Sequence, residues 1–354
     1  MKKLNIGIFA ALVSSMVFFA CKKEANVPPT EDKEVQTSID ASYATFLVSD
    51  IEMIASWMGE DASFGAQKFY APSPVSQGTV TVVRNTQTNR LSFNFNNTTC
   101  MDGRHRDGSI FMFFKEQAYS TYSLTGNENY IRDFNFTGRI TCEEYKVDGW
   151  LVDNKDIDSV DPNATNYPIL IKNLRPNNNT PIPGGLLKWS FQGSFTMKKN
   201  QDSMAWKGTW TKTLDNTSNT KVFAANAQSA INWSLAVISY VGEAKGYTPG
   251  NVPFSMKYYE KYPLRRDFTC FPDKVAGVGL SPTSTLTPVI SESHPFTSGV
   301  ASFTTGTAYP REIYYDNTQI TFGSEESPVP LPSQCDNKAS VQIKGIFYPI
   351  DLKK

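Results

Sequence analysis

Apolar and polar residues alternate along most of the chain from about residue 75 onward. Large apolar side chains, or in places glycine, occupy every second position, with polar residues between them, in segments 91–96, 134–142, 189–197 and 206–211. A period of two places successive side chains on opposite faces of a strand, so these segments predict antiparallel strands with one buried and one wet face. Segments 110–114 and 235–241 are almost wholly apolar, which predicts strands in the interior of a sheet.

One segment near the N-terminus has helical periodicity instead. Between residues 38 and 60, apolar side chains recur at steps of three and four: Ile39, Tyr43, Phe46, Leu47, Ile51, Ile54 and Trp57. This spacing predicts one amphipathic helix that packs on the sheet, begins at Ser38 or Asp40 as a cap, and ends at Gly59. A helix that binds a partner protein is the alternative interpretation.

Turn residues separate the predicted strands. Asp102-Gly103, Asp107-Gly108 and Asp148-Gly149 are dipeptides typical of tight turns. Longer loops, any of which has room for a functional site, are expected at residues 153–168, 175–185 and 281–295.

The predicted fold class is mainly β, with antiparallel sheets arranged as a sandwich or one large twisted sheet, and one N-terminal amphipathic helix. Two segments, which begin at Cys100 and at Cys335, share one order of features. In each, a cysteine with an acidic turn is followed by a glycine and an apolar strand. This similarity predicts two related halves of the β-rich region 61–354 that meet near residues 215–230. Chance similarity is the alternative.

Residues 1–20 have the organisation of a lipoprotein signal peptide. Lys2 and Lys3 precede an apolar run over residues 4–19, and a small residue precedes Cys21. The run is shorter than the roughly 20 residues needed to span a bilayer. We therefore expect export, cleavage before Cys21, and attachment to a membrane by two or more acyl chains on that cysteine. An ordinary cleaved signal and an uncleaved anchor are the alternatives.

Residues 21–37 are mostly polar and contain a Pro-Pro pair, which predicts a flexible tether. The expected location is the cell envelope, as an outer-membrane lipoprotein that faces the periplasm or the cell surface. The chain has 34 basic and 34 acidic residues, and removal of residues 1–20 takes away two of the lysines. A chain without a basic excess lacks the charge pattern of nucleic-acid binding. The predicted partner is a membrane, which the protein reaches through the lipid on Cys21.

Four cysteines follow the predicted lipid site: Cys100, Cys142, Cys270 and Cys335. Export permits disulfides. We prefer the pairs Cys100–Cys142 and Cys270–Cys335 because each pair lies within one half of the chain, and buried free thiols are the alternative. No Cys-x-x-Cys occurs, which argues against a thiol oxidoreductase and against a structural zinc site.

Residues that commonly carry catalysis are scarce. The two histidines, His105 and His294, have no metal-ligand partner at helical spacing, and there is no Gly-x-Ser-x-Gly elbow. Neither a metal, a cofactor nor a serine triad is therefore expected. A glycosidase needs only two carboxylates, and the acidic candidates are Glu143, Glu144, Asp156, Asp158, Asp161, Glu325 and Glu326.

These acidic candidates have simpler interpretations. Adjacent acids on a strand point to opposite faces, so Glu143 and Glu144 are not expected to serve one site. The acidic loop from Asp153 to Asp161 lacks the spacing of a calcium-binding loop and is expected to be solvated.

Tryptophans on the predicted strands are the remaining candidates for a ligand site. Trp189, Trp206 and Trp210 are candidates for stacking on sugar rings. Tryptophan on an alternating strand is more often a core residue, which is the competing interpretation. A glycan and an envelope protein are the candidate ligands.

The chain also resembles a group of Bacteroidota lipoproteins of unknown function. Their shared outline is a lipobox, a short helix, an Asp-Gly-Arg-x-Arg-x-Gly-x-Ile motif, and a C-terminal Cys-Asp-Asn-x-Ala-x-Val run. Here the two motifs occupy residues 102–110 and 335–341, and Cys270 is followed by Val-Ala-Gly at residues 275–277. The stretch 301–315 departs from the Asp-Phe-Gly pattern usual in that group. The resemblance implies an envelope location and a β-rich fold, and it adds no mechanism.

These observations favour a lipid-anchored envelope protein with a non-catalytic role, either binding or structural. A carbohydrate-active enzyme with two carboxylates, or a glycan-binding accessory lipoprotein, is the alternative.

Overall fold

The computed structural model describes residues 31–60, 70–73, 76–114, 130–133, 136–154, 167–175, 187–215, 231–268, 296–305, 310–315 and 338–352. The chain forms two compact units, Met1–Gln36 and Thr37–Lys354. The described helix α1 (Glu31–Glu60) begins in the first unit, and all the described strands belong to the second. No helix among the described residues has the length and apolar character needed to cross a membrane.

Fifteen strands follow the helix in the described part of the chain. The first eight are β1 (Thr79–Asn85), β2 (Arg90–Thr99), β3 (His105–Phe114), β4 (Thr137–Val147), β5 (Trp150–Asp153), β6 (Tyr167–Asn173), β7 (Lys188–Lys199) and β8 (Asp202–Leu214). After a 3-10 helix at Trp233–Leu235 come β9 (Val237–Thr248), β10 (Val252–Tyr258), β11 (Leu264–Asp267), β12 (Gly299–Thr305), β13 (Arg311–Tyr315), β14 (Lys338–Ile343) and β15 (Ile346–Asp351).

All fifteen strands form one antiparallel sheet in the order β1-β2-β3-β4-β5-β7-β8-β9-β10-β12-β13-β14-β15. The short strands β5 and β6 share the space between β4 and β7, because each pairs with both long strands. In the same way, β11 and β10 both pair with β9. Strand β11 pairs with the first residues of β9, and β10 pairs with the later residues of β9. The predicted fold class, mainly antiparallel β with one N-terminal helix, is confirmed.

The sheet has no boundary where the two predicted halves of the β-rich region would meet. Strands β8 and β9 flank the proposed junction, and they pair directly from Ala205 to Leu214. The sheet is therefore continuous there, as one large sheet and not a sandwich. Residues 216–230 and Cys335 lie outside the described residues, so the similarity between the two cysteine segments stays a sequence observation.

Turn chemistry explains two features of the strands. Asp148 and Gly149 have φ angles of 50° and 82° in the hairpin between β4 and β5, as the sequence predicts. Asp107-Gly108, in contrast, is a bulge inside β3 and not a turn, since the β3–β4 register shifts between Asp107 and Ser109. A Cβ atom at Gly108 would lie 2.3 Å from the carbonyl oxygen of Glu144, so the bulge needs glycine.

The helix differs from the prediction in both its start and its surroundings. It begins at Glu31, inside the segment predicted as a flexible tether, so Ser38 and Asp40 are interior residues and not caps. Every side chain from Asp40 to Gly59 is buried, including the polar ones. The helix therefore does not have one buried and one exposed face over this range. A helix that binds a partner protein would need an exposed face, and residues 40–59 have none.

The sheet curves around the helix. Arg84 of β1 donates a hydrogen bond to the Gly59 carbonyl oxygen at 2.6 Å, and Tyr315 of β13 shares a hydrogen bond with Ser42 at 2.9 Å. Strands near opposite ends of the sheet order thus contact one helix, which requires a strongly curved sheet. The inner face of the sheet and α1 together form the hydrophobic core.

Small residues on the inner face make room for large rings. Gly208 of β8 lies opposite Gly193 of β7 and Ala244 of β9. A Cβ atom at Gly208 would lie 2.6 Å from Cη2 of Trp206, so the indole lies directly over the glycine. The indole nitrogen of Trp206 donates to Thr45 Oγ1 on the helix at 3.3 Å. These contacts fix the packing of β8 against α1.

Candidate functional site

A buried ionic centre links the helix to two distant strands. Asp50 of α1 accepts hydrogen bonds from Arg106 of β3 at 2.7 Å and from Arg266 of β11 at 3.2 Å. Tyr70 donates a third, at 3.3 Å. Arg106 also forms a two-pronged ion pair with Asp102, at 2.8 and 2.6 Å. Two carboxylates therefore face two guanidinium groups, and the cluster is neutral in total.

The two carboxylates of this centre have pKa values displaced in opposite directions. Burial alone would raise the pKa of Asp50, but the charges of Arg106 and Arg266 outweigh it and hold the pKa below its ordinary value. Burial raises the pKa of Asp102 above its ordinary value, although Arg106 opposes this. Such a pair resembles the acid and base of a hydrolase. However, the side chains of Asp50 and Asp102 are 1% and 6% exposed, so a saccharide does not reach them.

A second buried ion pair lies further along the helix. Lys212 of β8 donates to Glu52 Oε1 at 2.5 Å and to Ser56 Oγ at 3.1 Å. Its ammonium group lies 4.7 Å from the ring centre of Trp189 and 4.9 Å from that of Trp233. Two aromatic faces and a carboxylate thus replace the water that the ammonium loses on burial.

The Asp-Gly-Arg-x-Arg motif has a structural role around the helix. Besides the contacts of Asp102 and Arg106, Arg104 forms an ion pair with Asp148 at 2.5 Å. The Arg104 guanidinium also lies 4.1 Å from the ring centre of Phe46 on α1. Both arginines of the motif therefore contact the helix side of the sheet. Nothing in the motif's sequence indicated that its partner was the helix.

The three candidate stacking tryptophans lie in the core. The relative exposures of Trp189, Trp206 and Trp210 are 0%, 1% and 1%. They alternate onto the inner face of β7 and β8, which the helix covers. Ring contacts such as the edge-on pair Trp206–Trp210, with centroids 5.2 Å apart, fill the space that a sugar would need. They are core residues and not a glycan-stacking surface.

The predicted Cys100–Cys142 disulfide is absent, and both cysteines are free thiols. Cys100 directly follows Thr99 of β2, which pairs with His105 of β3. Cys142 of β4 pairs with Ile110 of β3. His105 and Ile110 are five residues apart on β3, which corresponds to about 16 Å along the strand at roughly 3.3 Å per residue. A disulfide needs Cα atoms within about 7 Å. Burial raises the pKa of the Cys100 thiol to about 12. Cys270 and Cys335 lie outside the described residues.

The remaining predicted residues are exposed or lie outside the described part of the chain. His105 is exposed, and its Nδ1 atom lies 3.4 Å from Thr99 Oγ1. Glu143 and Glu144 are both exposed, because Glu144, at a φ of 49°, belongs to the β-bulge and breaks strict alternation. Cys21, His294, Asp156, Asp158, Asp161, Glu325 and Glu326 are not among the described residues. Within the described ranges, no three His, Cys, Asp or Glu side chains are grouped to hold a metal ion.

The outer face of the sheet has an open groove of about 290 Å³ over β8, β9 and β10. Its polar lining residues are Lys207, Thr209, Glu243, Lys245 and Ser255, with Gly208 and Ala244 between them. We call this the outer groove.

Strand register assembles the outer groove. Lys207 lies directly opposite Lys245, and Thr209 lies directly opposite Glu243. Ser255 continues the first of these two rows on β10. Sequence analysis missed these residues because they occupy ordinary wet positions of alternating strands. Their proximity depends on the β8–β9 register, and the two strands are separated by a long connection and not by a tight turn.

Comparison with profiles of known protein families, with curated proteins and with solved structures found no match for this chain.

Proposed function

We propose that this chain is a lipid-anchored, non-catalytic binding protein of the cell envelope, with its binding surface on the outer face of the sheet. The observation that carries the proposal is the contrast between the two charged regions. Inside, Asp50 is neutralised by Arg106 and Arg266, and Glu52 by Lys212, so these groups hold the helix. Outside, charged side chains line an open groove.

The location rests on the N-terminal sequence. The apolar run, the small residue before Cys21 and the polar segment after it support acylation at that cysteine. The helix begins at Glu31, so nine residues separate it from the proposed lipid site. Acyl chains on Cys21 would hold the protein at the envelope surface through this short segment.

Acylation is tested by growing producing cells with a labelled fatty acid. The wild-type protein is expected to carry the label, and Cys21→Ser is expected to lose it and to leave the membrane fraction. Cys100→Ser, with a cysteine inside the folded region, is the matched control and should keep the label. Label that persists in the Cys21→Ser protein would contradict the anchor.

Binding without catalysis is tested on affinity gels cast with neutral and acidic polysaccharides. The protein is expected to be retarded by at least one polysaccharide while releasing no new reducing ends from it. Reducing ends that appear with time would favour the carbohydrate-active enzyme instead. Migration unchanged by every polysaccharide would remove the glycan as ligand.

A further inference from the structure

We propose that the outer groove binds an acidic saccharide, with the carboxylate of a sugar between Lys207 and Lys245 and the sugar ring against Tyr247. This inference rests on the proposed binding function and specifies its site and ligand class.

The first argument is the position of the two lysines. Lys207 and Lys245 are directly opposite each other on adjacent antiparallel strands. The Cβ atoms of such a pair lie about 4.5–5.5 Å apart, and like charges in this arrangement repel. An anionic group placed between the two ammonium groups would be attracted by both. Lysine, a compact point charge with three donors, suits a carboxylate approached from several directions.

The second argument is the single carboxylate among the described residues that line the groove. Glu243 pairs with Thr209 on one side and with Lys257 on the other. A ligand with dense negative charge, such as a nucleic acid or a polyphosphate, would place part of its charge against Glu243. A sugar acid has one negative group and several hydroxyls. Those hydroxyls can donate to the Glu243 carboxylate and accept from Thr209 and Ser255.

The third argument is an exposed aromatic ring beside the lysines. Tyr247 is two residues beyond Lys245 on the same face of β9, opposite Ala205 and Pro253, and is 51% exposed. An aromatic face next to charged and hydroxyl groups presents both an apolar surface for the ring of a sugar and polar groups for its substituents.

The groove is also preformed. Its floor is the backbone of Gly208 and Ala244 at the centre of a continuous hydrogen-bonded sheet. Its volume of about 290 Å³ is near the lower limit for small-molecule sites, which suits one or two sugar units of a longer chain. Little backbone freedom is lost when a ligand binds against this floor, and the cost of ordering falls on the lysine side chains.

The test is calorimetric titration of the purified full-length protein with short oligomers of galacturonic, glucuronic and sialic acid. Each acid is compared with its methyl ester, which keeps the sugar and removes the charge. We expect at least one acid to bind, and its ester to bind at least tenfold more weakly. Lys207→Gln/Lys245→Gln is expected to weaken binding of the acid at least tenfold, and Tyr247→Ala to weaken binding of acid and ester alike.

The matched control is Lys146→Gln/Lys188→Gln, which removes the same charge from two exposed lysines outside the groove. It should bind like the wild type. Equal affinity for acid and ester, no binding of any of the three acids, or full affinity in the Lys207→Gln/Lys245→Gln protein would overturn the inference. Retardation by neutral polysaccharides alone would overturn it as well, while leaving the proposed binding function intact.

Discussion

Arg106 Nη2 lies 2.7 Å from Asp50 Oδ2, and both side chains are almost completely buried. This contact joins an interior strand to the middle of the helix. A buried ion pair stabilises a fold only when its geometry replaces the lost hydration, and here Arg266 and Tyr70 supply further hydrogen bonds to Asp50. The polar face of the helix is therefore part of the core.

Substitution Asp50→Asn is expected to destabilise the protein strongly. It leaves Arg106 and Arg266 buried with one opposing carboxylate, and loss of one partner from a buried pair typically costs about 3–5 kcal/mol. Urea denaturation followed by circular dichroism measures the free energy of unfolding. The control is Asp202→Asn, at an exposed hairpin position, which should leave stability nearly unchanged. Equal stability of the two variants would show that Asp50 does not hold the helix.

The second ion pair predicts energetic coupling between residues 160 positions apart in sequence. Lys212→Met and Glu52→Leu are each expected to cost about 3–5 kcal/mol, because each leaves an unpaired buried charge. The double variant is expected to cost clearly less than the sum, since both charges are gone. Additive losses in this double-mutant cycle would mean that the two side chains do not interact.

The sequence predicts much of this fold and little of its charge pairing. Period-two segments locate strands such as β2, β7 and β8, because the inner face of each is apolar. The helical spacing likewise locates α1. It does not reveal that the polar face is buried too, since the matching cations Arg106 and Lys212 lie on distant strands and only the tertiary fold brings them to the helix. Pairs set by register, such as Lys207 with Lys245, are hidden for the same reason.

Alkaline pH is expected to unfold the protein. Burial raises the pKa of six core tyrosines above the ordinary value of 10.0: Tyr43, Tyr70, Tyr145, Tyr240, Tyr258 and Tyr315. The folded state therefore holds protons that the unfolded state releases, and stability falls as the pH rises past about 10. Tyrosinate absorbance should increase together with the loss of circular dichroism. A full tyrosinate signal from protein that is still folded would argue against these buried hydroxyls.

The cysteines predict a specific result from non-reducing peptide mapping. Cys100 and Cys142 are expected as free thiols that react slowly in the folded protein, because burial raises the pKa of both. Both should react fully in denaturant. The pair Cys270–Cys335 remains the predicted disulfide. A peptide that links Cys100 to Cys142 would contradict the strand register of β3 and β4.

The burial of α1 by strands near opposite ends of the sheet is the central claim, and hydrogen exchange tests it most directly. Backbone amides in residues 40–59 are expected to exchange as slowly as those of β7 and β8, through global unfolding only, because the helix has no exposed side over this range. Mass spectrometry of exchanged peptides resolves these segments. Exchange in residues 40–59 that is complete while β7 and β8 are still protected would contradict the claim, because it would show a helix that leaves the sheet on its own.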